Sequence, residues 1–215
     1  MTEDALHTFE RWMRQLPLVA ILRGITPQEA PAIGQALTDQ GFGLIEVPLN
    51  SPQPLATIER LVAAHPDALI GAGTVLHAHE VRDVHAAGGR LVVSPCFDAE
   101  VVSAAIALGL VCLPGVLSPT EAFAALRAGA HGLKLFPAEM ITPPGVKALR
   151  AVLPPQVRLL PVGGVTPQNL GAYRAAGATG AGLGSALYRP GDDAVRVSAK
   201  AQEFAQAWRD ASERP

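Results

Sequence analysis

Lysine is scarce in this chain, with three residues against fourteen arginines. Cysteine is scarcer. Cys96 and Cys112 are too few for a disulfide framework and suit a reducing cytosol, so a cytoplasmic protein is expected. Aromatic residues make up 5% of the chain, which argues against base-stacking surfaces. A net charge of -2 with scattered basic residues excludes a nucleic-acid groove and a polybasic membrane patch. Met1 to Leu16 lack an apolar h-region, so no signal peptide is expected. One uncharged run, Val101 to Thr120, has about the length of a membrane span. Gly109, Pro114-Gly115 and Ser118-Pro119 interrupt it, and it reads as a helix followed by a buried strand.

Several chemical signatures are also missing. There is no G-x-S-x-G, no P-loop and no dinucleotide fingerprint; Gly182-x-Gly184 lacks the third glycine and a following βαβ unit. His77, His79 and His85 fall on a polar helix start without matching carboxylates, so neither a metal nor another cofactor is expected. Cys96, after Ser94-Pro95, reads as a small buried residue rather than a nucleophile.

What is present is a repeat. Nearly half of the 215 residues are hydrophobic. Short β-branched runs alternate with alanine- and leucine-rich amphipathic segments at a spacing of roughly 20–26 residues. The runs are Leu18–Arg23, Leu44–Leu49, Leu69–Val75, Leu91–Pro95, Val111–Val116, Gly132–Pro137, Val157–Val162 and Gly180–Gly184. Their near-continuous apolar character fits strands of a parallel sheet covered on both faces.

Thr26-Pro27-Gln28-Glu29 and Ser118-Pro119-Thr120-Glu121 read as capping boxes, and Ser51-Pro52 and Thr166-Pro167 as cap-plus-proline starts. Helices are expected to end at Gly41, Gly88, Gly109, Gly129 and Gly177. The order predicts an α/β fold, a (β/α)8 TIM barrel with an extra helix at about Ala5 to Gln15 closing its bottom. No linker or low-complexity tract divides it, so residues 1–215 are expected to form a single domain.

In such a barrel, function belongs to the C-terminal ends of the strands. Lys134 lies in Gly132-Leu133-Lys134-Leu135-Phe136-Pro137, and Glu46 in Leu44-Ile45-Glu46-Val47-Pro48-Leu49. Strand alternation turns both inward if their aliphatic neighbours face the helices. A lysine in water at pH 7 is neutral in about one molecule in a few thousand. Burial enlarges the neutral fraction, which is the form that attacks a ketone. A snorkelling lysine and a structural Lys–Glu pair remain as alternatives.

Arg23, at the end of the first strand, suits a carboxylate clamp or a rim salt bridge. Thr74, after Gly71-Ala72-Gly73, offers a ligand hydroxyl or an ordinary turn hydroxyl. Gly163-Gly164 and Gly184-Ser185 follow strands seven and eight, the recurrent phosphate position of this fold.

These residues carry a resemblance. Ala20-Ile21-Leu22-Arg23-Gly24-Ile25, Ile45-Glu46-Val47-Pro48-Leu49-Asn50-Ser51-Pro52, Ile70-Gly71-Ala72-Gly73-Thr74-Val75, Leu133-Lys134-Leu135-Phe136-Pro137 and Val162-Gly163-Gly164-Val165 are similar to the 2-keto-3-deoxy-6-phosphogluconate / 4-hydroxy-2-oxoglutarate aldolase family. The resemblance covers Leu16 to Gly191. It implies a metal-free class I pyruvate aldolase on a (β/α)8 barrel, commonly a homotrimer, acting on a phosphorylated keto acid.

The resemblance also assigns roles. Lys134 would form the Schiff base, Glu46 would be the general acid/base, Thr74 would contact the pyruvyl end, and Phe136 would pack beside it. Two departures bear on specificity. Asn50 stands where the gluconate enzymes usually carry arginine, and Arg23 would replace that carboxylate clamp. Val162 stands where they carry threonine. Both favour the galactonate epimer, 2-dehydro-3-deoxy-6-phosphogalactonate, over the gluconate substrate or 4-hydroxy-2-oxoglutarate. From the residues alone, a phosphate-binding barrel isomerase or epimerase and a non-catalytic sugar-phosphate binder remain open.

Overall fold

The computed structural model describes residues 4–211, so the ends of the expected domain, 1–3 and 212–215, lie outside the described residues. The chain opens with α1 (Ala5–Gln15), then runs β1 (Leu18–Ile21), α2 (Ala30–Thr38), β2 (Leu44–Pro48), α3 (Pro54–Ala64), β3 (Leu69–Gly73) and α4 (Ala78–Ala86). It continues through β4 (Leu91–Val93), α5 (Ala99–Ala107), β5 (Val111–Leu113), β6 (Gly115–Val116), α6 (Pro119–Arg127) and β7 (Leu133–Leu135). It closes with α7 (Pro143–Val152), β8 (Leu159–Pro161), α8 (Pro167–Ala175), β9 (Ala181–Leu183) and α9 (Ala194–Asp210). Every expected strand is present, each shorter than its apolar run because the end residues turn into the loops.

The pairing is parallel throughout and the architecture is TIM-barrel-like. It differs from one continuous eight-stranded ladder. Strands β5-β4-β3-β2-β1-β9 form one sheet and β6-β7-β8 a second. The expected fifth strand is divided into β5 and β6 at Pro114, which has no N–H to give to a ladder. Its carbonyl still accepts from the Lys134 amide at 3.0 Å. At the other seam a single bridge, Val162 with Gly182, spans β8 and β9.

Strand parity separates two apolar layers. Ile45 and Val47 of β2, with Leu133 and Leu135 of β7, belong to the outer layer between sheet and helices. Val19, Leu44, Leu69, Leu91, Val111 and Leu160 face inward and meet Phe9 and Met13 of α1. The N-terminal helix thus plugs the lower end. Phe9 is fully buried there, contributing about 2–3 kcal/mol.

The helix boundaries follow local chemistry. Ser118 and Glu121 make the full capping box: the Ser118 amide donates to Glu121 at 2.8 Å and the Glu121 amide to the Ser118 hydroxyl at 3.3 Å. Thr166 caps α8. Glycine at each of the five expected helix ends has positive φ.

Three expectations need correction. Glu29 accepts from the Thr26 amide at 3.0 Å, but regular helix begins only at Ala30. Ser51-Pro52 does not start α3; that helix starts at Pro54 after Gln53 at φ 45. The Ser51 hydroxyl is engaged across the loop, accepting from the Gly24 amide at 2.9 Å. Cys96 is exposed, because the chain has left the sheet after Val93, whereas Cys112 is buried within β5. The uncharged run 101–120 spans α5 and β5–β6, and no helix among the described residues is long and apolar enough to cross a membrane.

Candidate active site

A cavity of about 570 Å³ opens where the strands end, and it collects most of the residues singled out in the sequence. Glu46 is paired in register between Ile21 of β1 and Gly71 of β3, one inward step above Leu44. Lys134 reaches the same cavity from β7, where Gly115 and Leu160 flank it. Their side-chain surroundings leave Glu46 only 1% and Lys134 only 6% exposed.

Burial opposes both charges. It pushes the Glu46 carboxyl up to about 7, even though Lys134 and Arg23 pull it down. It lowers Lys134 from the ordinary lysine value; Glu46 opposes that shift and Arg23 adds to it. The Lys134 amine lies 4.8 Å from the centroid of the Phe136 ring, two residues along the same strand face. Among the described residues, Glu46 Oε2 is buried without a hydrogen-bond partner. A buried orphan acceptor is rare enough in folded proteins to need a reason. Here the residue lines the open cavity.

Gly73 has a specific steric task. A Cβ there would lie 1.5 Å from Glu46 Oε2. The close approach that the G-A-G-T segment permits is therefore that of the protein's own carboxylate. Thr74, the next residue, lines the cavity at φ 58, in the left-handed region that a β-branched residue seldom adopts.

Arg23 stands at the exposed mouth, and its Nη1 donates to Asn50 Oδ1 at 2.6 Å. Asn50 does not line the cavity; it orients the arginine that does. An arginine at position 50 would replace this acceptor with a second cation. Val162, 8% exposed, faces the cavity from the end of β8.

Gly163 and Gly164, at φ 109 and 62, form the turn that follows Val162. They lie in the cavity wall with Gly184 and Ser185. Thr166 then starts α8, and the Asn169 side chain donates to the Gly164 carbonyl at 2.8 Å, fixing the turn. Backbone amides of such a turn, ahead of a helix N-terminus, favour an anion.

Sequence reasoning missed Glu139 and Arg189, both in the same wall. Arg189 Nε donates to the Ser185 carbonyl at 2.9 Å, and its amide donates to Asp192 at 3.0 Å. Asp192 in turn accepts from Lys200 at 2.6 Å and Arg196 at 3.2 Å. Neither residue carried a periodic signal; both sit in loops, Glu139 just after Phe136-Pro137 and Arg189 just after Gly184-Ser185.

The arrangement joins a buried amine of lowered pKa, a carboxyl group that burial pushes up to about 7, a guanidinium at one end and a glycine turn at the other. Comparison with known proteins agrees with that chemistry. Residues 9–199 match the family model described as KDPG and KHG aldolase. The chain is 48% identical over 202 residues to the 2-dehydro-3-deoxy-6-phosphogalactonate aldolase of Escherichia coli strain K12, covering 94% of this chain and 98% of the relative. It is 35% identical over 162 residues to the 2-dehydro-3-deoxy-phosphogluconate aldolase of Zymomonas mobilis, 75% of this chain and 77% of the relative.

Among solved structures, a native KDPGal structure superposes with a TM-score of 0.91 at 48% identity, covering 93% and 97% of the two chains. KDPG aldolase from Legionella pneumophila, with pyruvate captured as a covalent carbinolamine, superposes at 0.76 with 28% identity over 91% and 94%. The chain belongs to the KDPG and KHG aldolase family.

Proposed function

We propose that this chain is a class I aldolase that cleaves 2-dehydro-3-deoxy-6-phospho-D-galactonate to pyruvate and D-glyceraldehyde 3-phosphate, without a metal or cofactor. The observation that carries it is Lys134, a buried amine of lowered pKa facing the near-neutral carboxyl of Glu46 in one cavity. Neutral Lys134 attacks the C2 ketone; the carbinolamine takes a proton from Glu46 and loses water to give an iminium. Glu46 carboxylate takes the C4 hydroxyl proton. The C3–C4 electron pair flows into the iminium, releasing the aldehyde and leaving an enamine. Protonation at C3 and hydrolysis release pyruvate and restore the lysine.

Arg23, held by Asn50, and Thr74 would bind the carboxylate end, and Phe136 would pack on the pyruvyl group. Gly163, Gly164, Gly184 and Ser185 would hold the phosphate. Holding both ends keeps the scissile bond beside the base, which contributes several kcal/mol, roughly, to lowering the barrier.

The galactonate epimer is favoured by Val162, which offers no hydroxyl to the substrate, and by the hydrogen bond of Asn50 to Arg23. The greater identity to the relative named for that substrate points the same way. Incubation with pyruvate and borohydride is expected to modify Lys134, and an unmodified chain would sink the reading. Cleavage rates on the two C4 epimers test the substrate, with preference for the gluconate epimer overturning it.

The same reading takes the fold as a single eight-stranded (β/α)8 barrel, with β5 and β6 as one strand interrupted at Pro114 and the Val162–Gly182 bridge as the last seam. It takes the assembly as a homotrimer. What supports an assembly is an apolar groove between the start of α6 and α7, lined by Leu117, Ile141 and Leu149 and edged by Met140 and Val152, which are 69% and 56% exposed. Exposed apolar area of that kind suits burial against another subunit.

A further inference from the structure

The phosphate end of the cavity contains a group of the wrong sign for an anion site. Glu139 leans over the glycine turn: a Cβ on Gly163 would lie 2.3 Å from Glu139 Oε2, and one on Gly164 3.2 Å from Oε1. The side chain lines the same cavity as Lys134 and Arg189 and is itself exposed. Among the described residues its carboxylate has no hydrogen-bond donor and no ion-pair partner.

Its position is not accidental to a floppy loop. The preceding residue, Ala138, is pinned on both backbone groups. Its amide donates to the Val162 carbonyl at 2.9 Å, and its carbonyl accepts from the Tyr173 hydroxyl at 3.0 Å. The Met140 amide donates to the Pro137 carbonyl at 2.9 Å, closing a turn around Glu139. The carboxylate is therefore tethered one residue from the strand end that leads into Gly163.

We infer that Glu139 opposes phosphate in the glycine cradle, so that the cradle by itself holds phosphate weakly and a phosphorylated keto acid is retained through its anchorage elsewhere in the cavity. This deepens the aldolase reading and rests on it. A free phosphate gains the cradle amides and Arg189, against the repulsion of the Glu139 carboxylate beside the same turn. A phosphorylated keto acid is also held covalently at Lys134 and by Arg23, and that second anchorage outweighs the repulsion. After cleavage the phosphorylated aldehyde has lost its link to Lys134, and the same repulsion promotes its departure.

The test is to titrate inorganic phosphate into the full-length wild type, Glu139→Gln and Glu139→Asp by calorimetry, and to measure KM for the phosphorylated keto acid and its dephosphorylated analogue. Removing one nearby like charge is expected to tighten phosphate binding about three- to tenfold in the Gln variant. The Asp variant, which keeps the charge, should stay within about twofold of wild type. The ratio of KM for the dephosphorylated to the phosphorylated substrate should rise by a similar factor in the Gln variant. Unchanged or weaker phosphate binding in Glu139→Gln overturns the inference, as does an equal change for both substrates. Should pyruvate and borohydride leave Lys134 unmodified, the aldolase reading fails by itself, while the phosphate titration still reports on Glu139.

Discussion

Lys134 and Glu46, the proposed nucleophile and base, are each buried where desolvation opposes the charged form. Burial pushes the Glu46 carboxyl from about 4.5 up to about 7, so kcat/KM is expected to fall about tenfold per pH unit well below 7 as the proposed base is protonated. A pH–rate profile checks this; a flat profile between pH 5 and 8 would remove Glu46 from the proposed role. The same shift has a stability consequence. A carboxyl group whose folded pKa is raised contributes stability that is full below its unfolded value and is lost as pH rises through the folded one. Glu46→Gln should therefore lose less Tm than wild type between pH 5 and pH 8, as thermal melts would record.

At Gly73 the steric argument is sharper. Gly73→Ala puts a methyl group onto Glu46 Oε2, so kcat is expected to fall about 100-fold. Steady-state kinetics beside a circular-dichroism check of folding would decide this. The inward parity of Lys134 and Glu46 was legible from Leu133, Leu135, Ile45 and Val47. The need for Gly73 was not, because it depends on where a carboxylate from the neighbouring strand comes to rest.

Among the elements, the loop between β9 and α9 is tied to its helix through a single side chain, Asp192. Asp192, 7% exposed, accepts from Lys200, Arg196 and the Arg189 amide and is held below the usual aspartate range, above all by Lys200. Asp192→Ala is expected to cost about 1.5–3 kcal/mol at pH 7, read as a lower urea midpoint. A depressed carboxyl pKa gives stability that is present above the unfolded value and lost as pH falls through the folded one. The gap between wild type and variant should accordingly shrink toward pH 3. Because the loop carries Arg189, KM for the phosphorylated substrate should rise in the same variant. The strand and helix order was readable from caps such as Ser118–Glu121 and from glycines such as Gly88 and Gly177, which are local. The ion cluster was not, since Asp192 and Lys200 lie in a loop and a helix whose docking no periodicity reveals.

At the scale of the whole molecule, the exposed Met140 and Val152 edge an apolar groove whose cover is proposed to be another copy of the chain. A charge introduced there is costly to bury, so Val152→Asp is expected to shift sedimentation from trimer to monomer. A variant that sediments like a trimeric wild type would move the interface elsewhere, and a monomeric wild type would end the proposal.

The amino-acid order by itself determined the alternation of strands and helices, the helix stops, the inward face of β2 and β7, and the family motifs. All of these are set by spacing along the chain and by side-chain preference. Tertiary structure alone decided the room that Gly73 makes for Glu46, the hold of Asn50 on Arg23, the seam at Pro114, and the lean of Glu139 over Gly163. Those contacts join residues from different strands and loops, and their distances follow from strand register, loop path and burial rather than from any repeat in the sequence.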